Sequence, residues 1–180
     1  VRFVNILSED VPPLVAGQID TAILHVEQAM VAQKLKPNLH MLAKLWEVEP
    51  LQLYNVLAVQ EKTIAERRAE LVKLTKAIIR ATRLMYEDKA KIMPIVVKRT
   101  GLEEAVVSPA FDIIAASCVW DGNHGLSKER VNYTTERMEK VGNIDKGKGP
   151  TFEENVDLSI AEEAIKALGA WKGPKCPSAA

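Results

Sequence analysis

Neither sign of charge is in excess in this chain: 24 Lys and Arg stand against 24 Asp and Glu. That balance gives no electrostatic footprint for a nucleic acid or an anionic membrane surface. No apolar run is long enough to cross a bilayer. Cysteine is scarce, with Cys118 and Cys176 as the only two. They form no CxxC pair, and His25, His40 and His124 show no metal-site spacing such as HExxH. The chain also lacks a GxSxG elbow, a Walker loop and a GxGxxG after a strand. These absences argue against an enzyme and against a resident metal or cofactor. A charged secretory leader is missing too, and the chain opens on the strand-like Val1-Arg-Phe-Val-Asn-Ile-Leu7. Opening in mid-strand is the expectation for a C-terminal portion of a longer product. Cys118, in an apolar run, is expected to be a buried thiol, and residues 170–180 a flexible tail.

What the chain does hold is organised around Leu14-Val-Ala-Gly-Gln-Ile-Asp-Thr-Ala-Ile-Leu-His-Val-Glu-Gln-Ala29. Asp10 can cap a short helix, with Pro12 and Pro13 in its first turn and Gly17 closing it. Residues 19–24 are short and apolar enough for a buried strand, and helical composition resumes at Glu27. A strand tip feeding a helix N-terminus is where open α/β sheets place ligands, because free N–H groups and the helix dipole point at the cleft. This marks residues 25–28 for function.

Residues 2–7, 39–48 and 53–59 are the other strand candidates. Beyond residue 60 the sequence turns helical. Thr63 with Glu66, Thr151 with Glu154 and Ser159 with Glu162 have capping-box spacing. Helices are expected over residues 63–87, 92–99 (ended by Gly101), 102–117 (with Pro109 as a boundary or kink) and 127–140 (capped by Ser127, stopped by Gly142). Leu71, Val72, Leu74, Thr75, Ile78, Ile79, Met85 and Tyr86 make an apolar face on the longest helix. Lys73, Lys76, Arg80 and Arg83 make a basic one, either a solvated face or a docking stripe. His124, near Asp121 in a glycine-rich loop, reads as a surface turn with no nucleophile beside it.

The run from Leu14 to Leu24 followed by Glu27 resembles the LLAGQVDAAI-x-x-E segment of periplasmic solute-binding proteins of ABC importers. The group is the one of nitrate, sulfonate, taurine and thiamine-pyrimidine-precursor binders. Leu71-Val-Lys-Leu-Thr-Lys-Ala-Ile-Ile-Arg-Ala-Thr-Arg-Leu-Met-Tyr-Glu87 is similar to the group's LVKAFIRA-type helix, and residues 119–127 and 157–169 resemble its C-terminal third. Gln28 stands where many members have proline, and the cysteine-rich motif of the fungal-type pyrimidine-precursor enzymes is lacking.

The resemblance implies an α/β, type II periplasmic-binding-protein-like fold, of which this chain is a helix-rich C-terminal half. Residues 1–35 would end the second lobe, 36–50 form the hinge return, and 51–169 complete the first lobe. It implies capture of a small polar or anionic organic solute by lobe closure, with an ABC permease as partner and a periplasmic or membrane-anchored extracytoplasmic location. The sheet would be completed by a missing N-terminal half or a symmetry-related chain. The candidate ligand contacts are Ser8 and Glu9 in the strand-exit loop, His25, Glu27 and Gln28 at the helix start, and Trp46 near the hinge return. The competing readings are a helical interaction or regulatory domain docking through the basic stripe, and an enzyme on the same fold.

Overall fold

The computed structural model describes residues 10–174, so Ser8, Glu9 and the strand expected over residues 2–7 lie outside the described residues. Among the described residues every regular element is a helix. These are α1 (Val11–Val15), α2 (Val26–Leu35), α3 (Leu45–Val48), α4 (Glu61–Glu87), α5 (Lys89–Thr100), α6 (Glu104–Ala116), α7 (Lys128–Lys140), α8 (Phe152–Asn155) and α9 (Ser159–Leu168).

The strands expected over residues 19–24, 39–48 and 53–59 are therefore corrected. Residues 45–48 form α3, and the rest of those spans is irregular chain. The physical reason is that a helix closes its hydrogen bonds within itself, whereas a strand needs a neighbour's N–H and C=O groups. No described segment supplies that neighbour.

The chain divides into two compact units. One takes the chain up to Lys44 together with Asp88–Ser117; the other takes Leu45–Glu87 together with the chain from Cys118 onward. The chain passes between the units at residues 44–45, 87–88 and 117–118.

In the first unit α2 packs on α1 and α6, and α5 packs on α6. Its core is Leu14, Val26, Ala32, Met93, Val106, Val107, Ala110 and Phe111. Gly17 takes φ +73° after α1, the left-handed stop that its position demands. Asp88 Oδ1 accepts from the Lys91 N–H at 3.0 Å, so α5 starts at Lys89, three residues before its apolar pattern does. Pro94 and Pro109 lie inside α5 and α6, and Pro109 is no boundary. Lys89 pairs with Asp112 at 2.7 Å and lies over the Phe111 ring, 5.9 Å from its centroid.

The second unit is built on α4, which packs on α9, while α7 packs on α8. Val72, Ile79, Val131 and Ala164 are its buried apolar side chains. Leu74 and Ile78, expected on the buried face of α4, are exposed. The Thr63–Glu66 cap is corrected: α4 begins at Glu61, and the Gln60 carbonyl accepts from the Thr63 and Ile64 N–H groups. Ser159 is likewise no cap. Its N–H donates to Asp157 Oδ1 at 2.8 Å and its hydroxyl accepts from Arg68 Nη1 at 3.0 Å. Arg68 Nη2 and Nε also both donate to Glu163 Oε2, at 2.9 and 3.2 Å, joining α4 to α9. Ser127 and Thr151 do cap α7 and α8.

A latch holds the end of the described chain to the end of α4. Arg83 donates to the carbonyls of Gly122 and Gly169, both at 2.8 Å, and to Asn123 Oδ1 at 3.2 Å. Asn123 exchanges two hydrogen bonds with the Trp171 backbone, each 3.1 Å. Trp171 Nε1 donates to Glu87 at 2.8 Å, and Tyr86 lies between the Trp120 and Trp171 rings at 5.9 and 5.2 Å. Trp171 is thus anchored, although it falls in the span expected as a flexible tail. Arg83 is committed here and not to a basic stripe. Cys118 is half-buried and disulfide-bonded, not a buried thiol.

The latch predicts a severe effect of a single methyl group. A Cβ on Gly122 would lie 2.0 Å from Trp171 Cε3, so Gly122→Ala should destabilise the protein by about 1–3 kcal/mol in denaturant unfolding. An unchanged midpoint would contradict the packing.

Glu139 accepts from the N–H groups of Gly147 and Gly149 at 3.0 and 2.9 Å, which holds its carboxyl below the usual range. A depressed folded-state pKa stabilises above the unfolded value, and the contribution is lost as pH falls through the folded one. The Gly147 and Gly149 amide resonances should therefore titrate together, at a midpoint below that of an ordinary glutamate. A midpoint at or above the ordinary value would contradict the clasp.

Candidate functional site

The candidate contacts fall in both units. His25, Glu27 and Gln28 meet at the start of α2 in the first unit, while Trp46 lies half-buried on α3 in the second.

Residues 19–24 approach α2 as irregular chain, with Ala22 and Leu24 half-buried and Ile23 79% exposed. His25 then takes φ −66° and ψ 157°, the extended geometry of an N-cap, and is exposed. Val26 turns inward into the core. Gln28 Oε1 accepts from the His25 N–H at 2.9 Å. Gln28 fixes the turn from its third helical position, so its side-chain oxygen is already engaged. Glu27, in the first turn, is favourably placed toward the positive end of the helix dipole. The imidazole of His25 and the carboxylate of Glu27 are thus held at a helix N-terminus by a fixed backbone turn. That arrangement suits hydrogen-bonding to a polar solute.

The second unit contains a groove that sequence reasoning missed. It has a volume of about 360 Å³ and is lined by Leu45, Leu53, Tyr54, Met138 and Val141, with Glu49, Gln52 and Arg137 as its polar members. Glu49 Oε1 accepts from Arg137 at 2.7 Å, and Glu49 Oε2 accepts from the Tyr133 hydroxyl. The bond to Glu49 raises the Tyr133 pKa, and burial followed by the Glu49 charge raises that of Tyr54. Glu49 was visible in the sequence only as a residue before Pro50; its partners lie more than eighty positions away. No local pattern announces such a cluster.

His124 fastens a turn, its Nδ1 accepting from the Leu126 N–H at 3.0 Å, and Asp121 Oδ1 accepts from the Asn123 N–H at 2.7 Å. Both side chains serve the loop that carries Asn123 into the latch. Among the described residues no group of three or more His, Cys, Asp or Glu side chains is arranged to hold a metal ion. No helix among them is long and apolar enough to cross a membrane.

Compared with known proteins, the chain matches no curated protein and no solved structure. Residues 1–92 of the 180 match the family described as NMT1/THI5 like. That match takes in the whole run from Leu14 to Gln28 and all of α4. Members of the family are generally binding proteins, not enzymes, and have a periplasmic-binding-protein-like fold. The chain belongs to the NMT1/THI5-like family, a family of periplasmic binding proteins for nitrate, sulfonate and thiamine precursors.

Proposed function

We propose that this chain is part of the solute-binding component of an ABC importer. It captures a small polar or anionic organic solute of the sulfonate, nitrate or pyrimidine-like class. The solute is held between two lobes of a type II fold, whose closure is what the membrane permease reads. The observation that carries this reading is membership of the NMT1/THI5-like family over residues 1–92.

The α2 N-terminus supports it. His25 and Glu27 are presented where backbone N–H groups and the helix dipole favour anionic or strongly hydrogen-bonding ligands. Ser8 and Glu9, which precede α1 in the same family-matched segment, join the proposed set, as does Trp46. Location outside the cytoplasm is supported by Cys118, because disulfides persist in oxidising compartments. The loss of Arg83 to the latch weighs against a docking stripe running from Lys73 to Arg83.

The test is thermal unfolding of the intact protein against a panel of nitrate, alkyl sulfonates, aromatic acids and pyrimidines. One of them should raise the melting temperature in a saturable way. Ligand at a hundredfold its Kd adds about 2.7 kcal/mol of stability. His25→Ala should shrink that shift while leaving the unliganded melting temperature unchanged, since His25 is exposed. Failure of every ligand to shift the transition would overturn the proposal.

A further inference from the structure

Every described residue with a positive φ is a glycine except one, Cys118 at φ +51°. It follows Ser117, the C-cap of α6, and so stands at the helix end where a left-handed residue closes the turn. Glycine takes that conformation readily, whereas a Cβ crowds the backbone there. A side chain kept at such a position despite the steric cost is one that the molecule uses. The use of this one is covalent: Cys118 is disulfide-bonded.

The sequence holds one other sulfur that can form the bond, that of Cys176. The latch brings the two stretches of chain together. Trp120, two residues past Cys118, packs on Tyr86 with ring centroids 5.9 Å apart, and Tyr86 packs on Trp171 at 5.2 Å. Asn123 exchanges two hydrogen bonds with the Trp171 backbone, each 3.1 Å. Cys176 lies five residues beyond Trp171, and five residues of extended chain span up to about 17 Å. The way back from Trp120 to Cys118 takes at most about 7 Å. The chain is therefore long enough to bring the two Cα atoms to the roughly 6 Å that a disulfide requires.

Tethered five residues from the anchored Trp171, the Cys176 thiol has an effective concentration at Cys118 that a thiol on another molecule does not match. A bond between the two closes a ring of chain that contains α7, α8 and α9. In sequence its ends flank the latch residues, Trp120 to Asn123 on one side and Trp171 on the other. Closing that ring removes conformational freedom from the unlatched chain, so it favours the latched one.

We propose that Cys118 and Cys176 form an intrachain disulfide that bolts the latch, so that Trp171 is held on α4 when the pair is oxidised and loosened when it is reduced. Formation joins the two sulfurs and gives up two protons and two electrons. The electrons pass to a disulfide oxidant, and a dithiol returns them on reduction. The test uses the full chain equilibrated in oxidised or in reduced glutathione buffer. Digestion of the oxidised chain should give one peptide pair joined through Cys118 and Cys176, from a protein that runs as a monomer on a non-reducing gel. Reduction, or Cys176→Ser, should lower the melting temperature by roughly 5–15 °C, the shift expected from opening a ring of this size. Either should also speed hydrogen exchange of the Trp171 indole N–H, which donates to Glu87, while the α6 amides keep their protection. Cys118→Gly removes the sulfur and relieves the backbone cost, yet it should speed that exchange as Cys176→Ser does. The double variant should be no faster than either single one, because all three lose the same bond. Two free thiols in the oxidised chain, or a dimer joined through Cys118, would overturn the pairing. A Trp171 N–H that exchanges equally in the oxidised and reduced chains would overturn the bolt.

Discussion

A backbone hydrogen bond can be closed within one segment only if that segment is a helix, and this constraint shapes every part of the molecule that is described. The helices α1 to α9 are self-sufficient in their N–H and C=O groups apart from their ends. Those ends are managed locally by Asp88, Ser127, Thr151 and Gln28. The strand-prone runs have no such recourse. Residues 19–24 and 53–59 have the composition of sheet strands and lie as irregular chain, with Ile23, Val56 and Leu57 turned to solvent. The family's fold is periplasmic-binding-protein-like, and a strand-prone run needs a neighbouring strand's N–H and C=O groups before it can pair.

Within the second unit, α4 is tied to α9, to the 120–123 loop and to Trp171. Near its start Arg68 binds the first turn of α9; near its end Arg83, Tyr86 and Glu87 hold the 120–123 loop and Trp171. Most of these contacts are made by charged or aromatic side chains to backbone carbonyls and to one another. They therefore fix direction and register, which the sparse buried set of Val72, Ile79, Val131 and Ala164 does not do alone. The exposed surface pairs, such as Lys34 with Glu103, add little by comparison.

What could be read from the sequence follows the range of the interactions concerned. Gly17, Gly101 and Gly142 terminate helices through their own φ angles, and Ser127 caps α7 through a bond three residues away, so each is legible locally. The caps proposed at Thr63 and Ser159 failed because nearer or stronger partners took the same groups: the Gln60 carbonyl in one case, Asp157 and Arg68 in the other. The strands expected over residues 19–24, 39–48 and 53–59 rest on composition, which records what a segment suits and not whether a neighbour is there. At the candidate site, the helix start at residues 25–28 was legible because it is contiguous. The Glu49, Tyr133 and Arg137 cluster and the Trp171 latch were not, since their partners are separated by 48 to 88 positions.

The central claim is that this family member binds a small solute. Its most direct test is calorimetric titration of the intact protein with nitrate, sulfonates, aromatic acids and pyrimidines. The account predicts saturable one-to-one binding of one chemical class, weakened by His25→Ala. An absence of saturable heat with every class, from a protein that unfolds cooperatively, would contradict it.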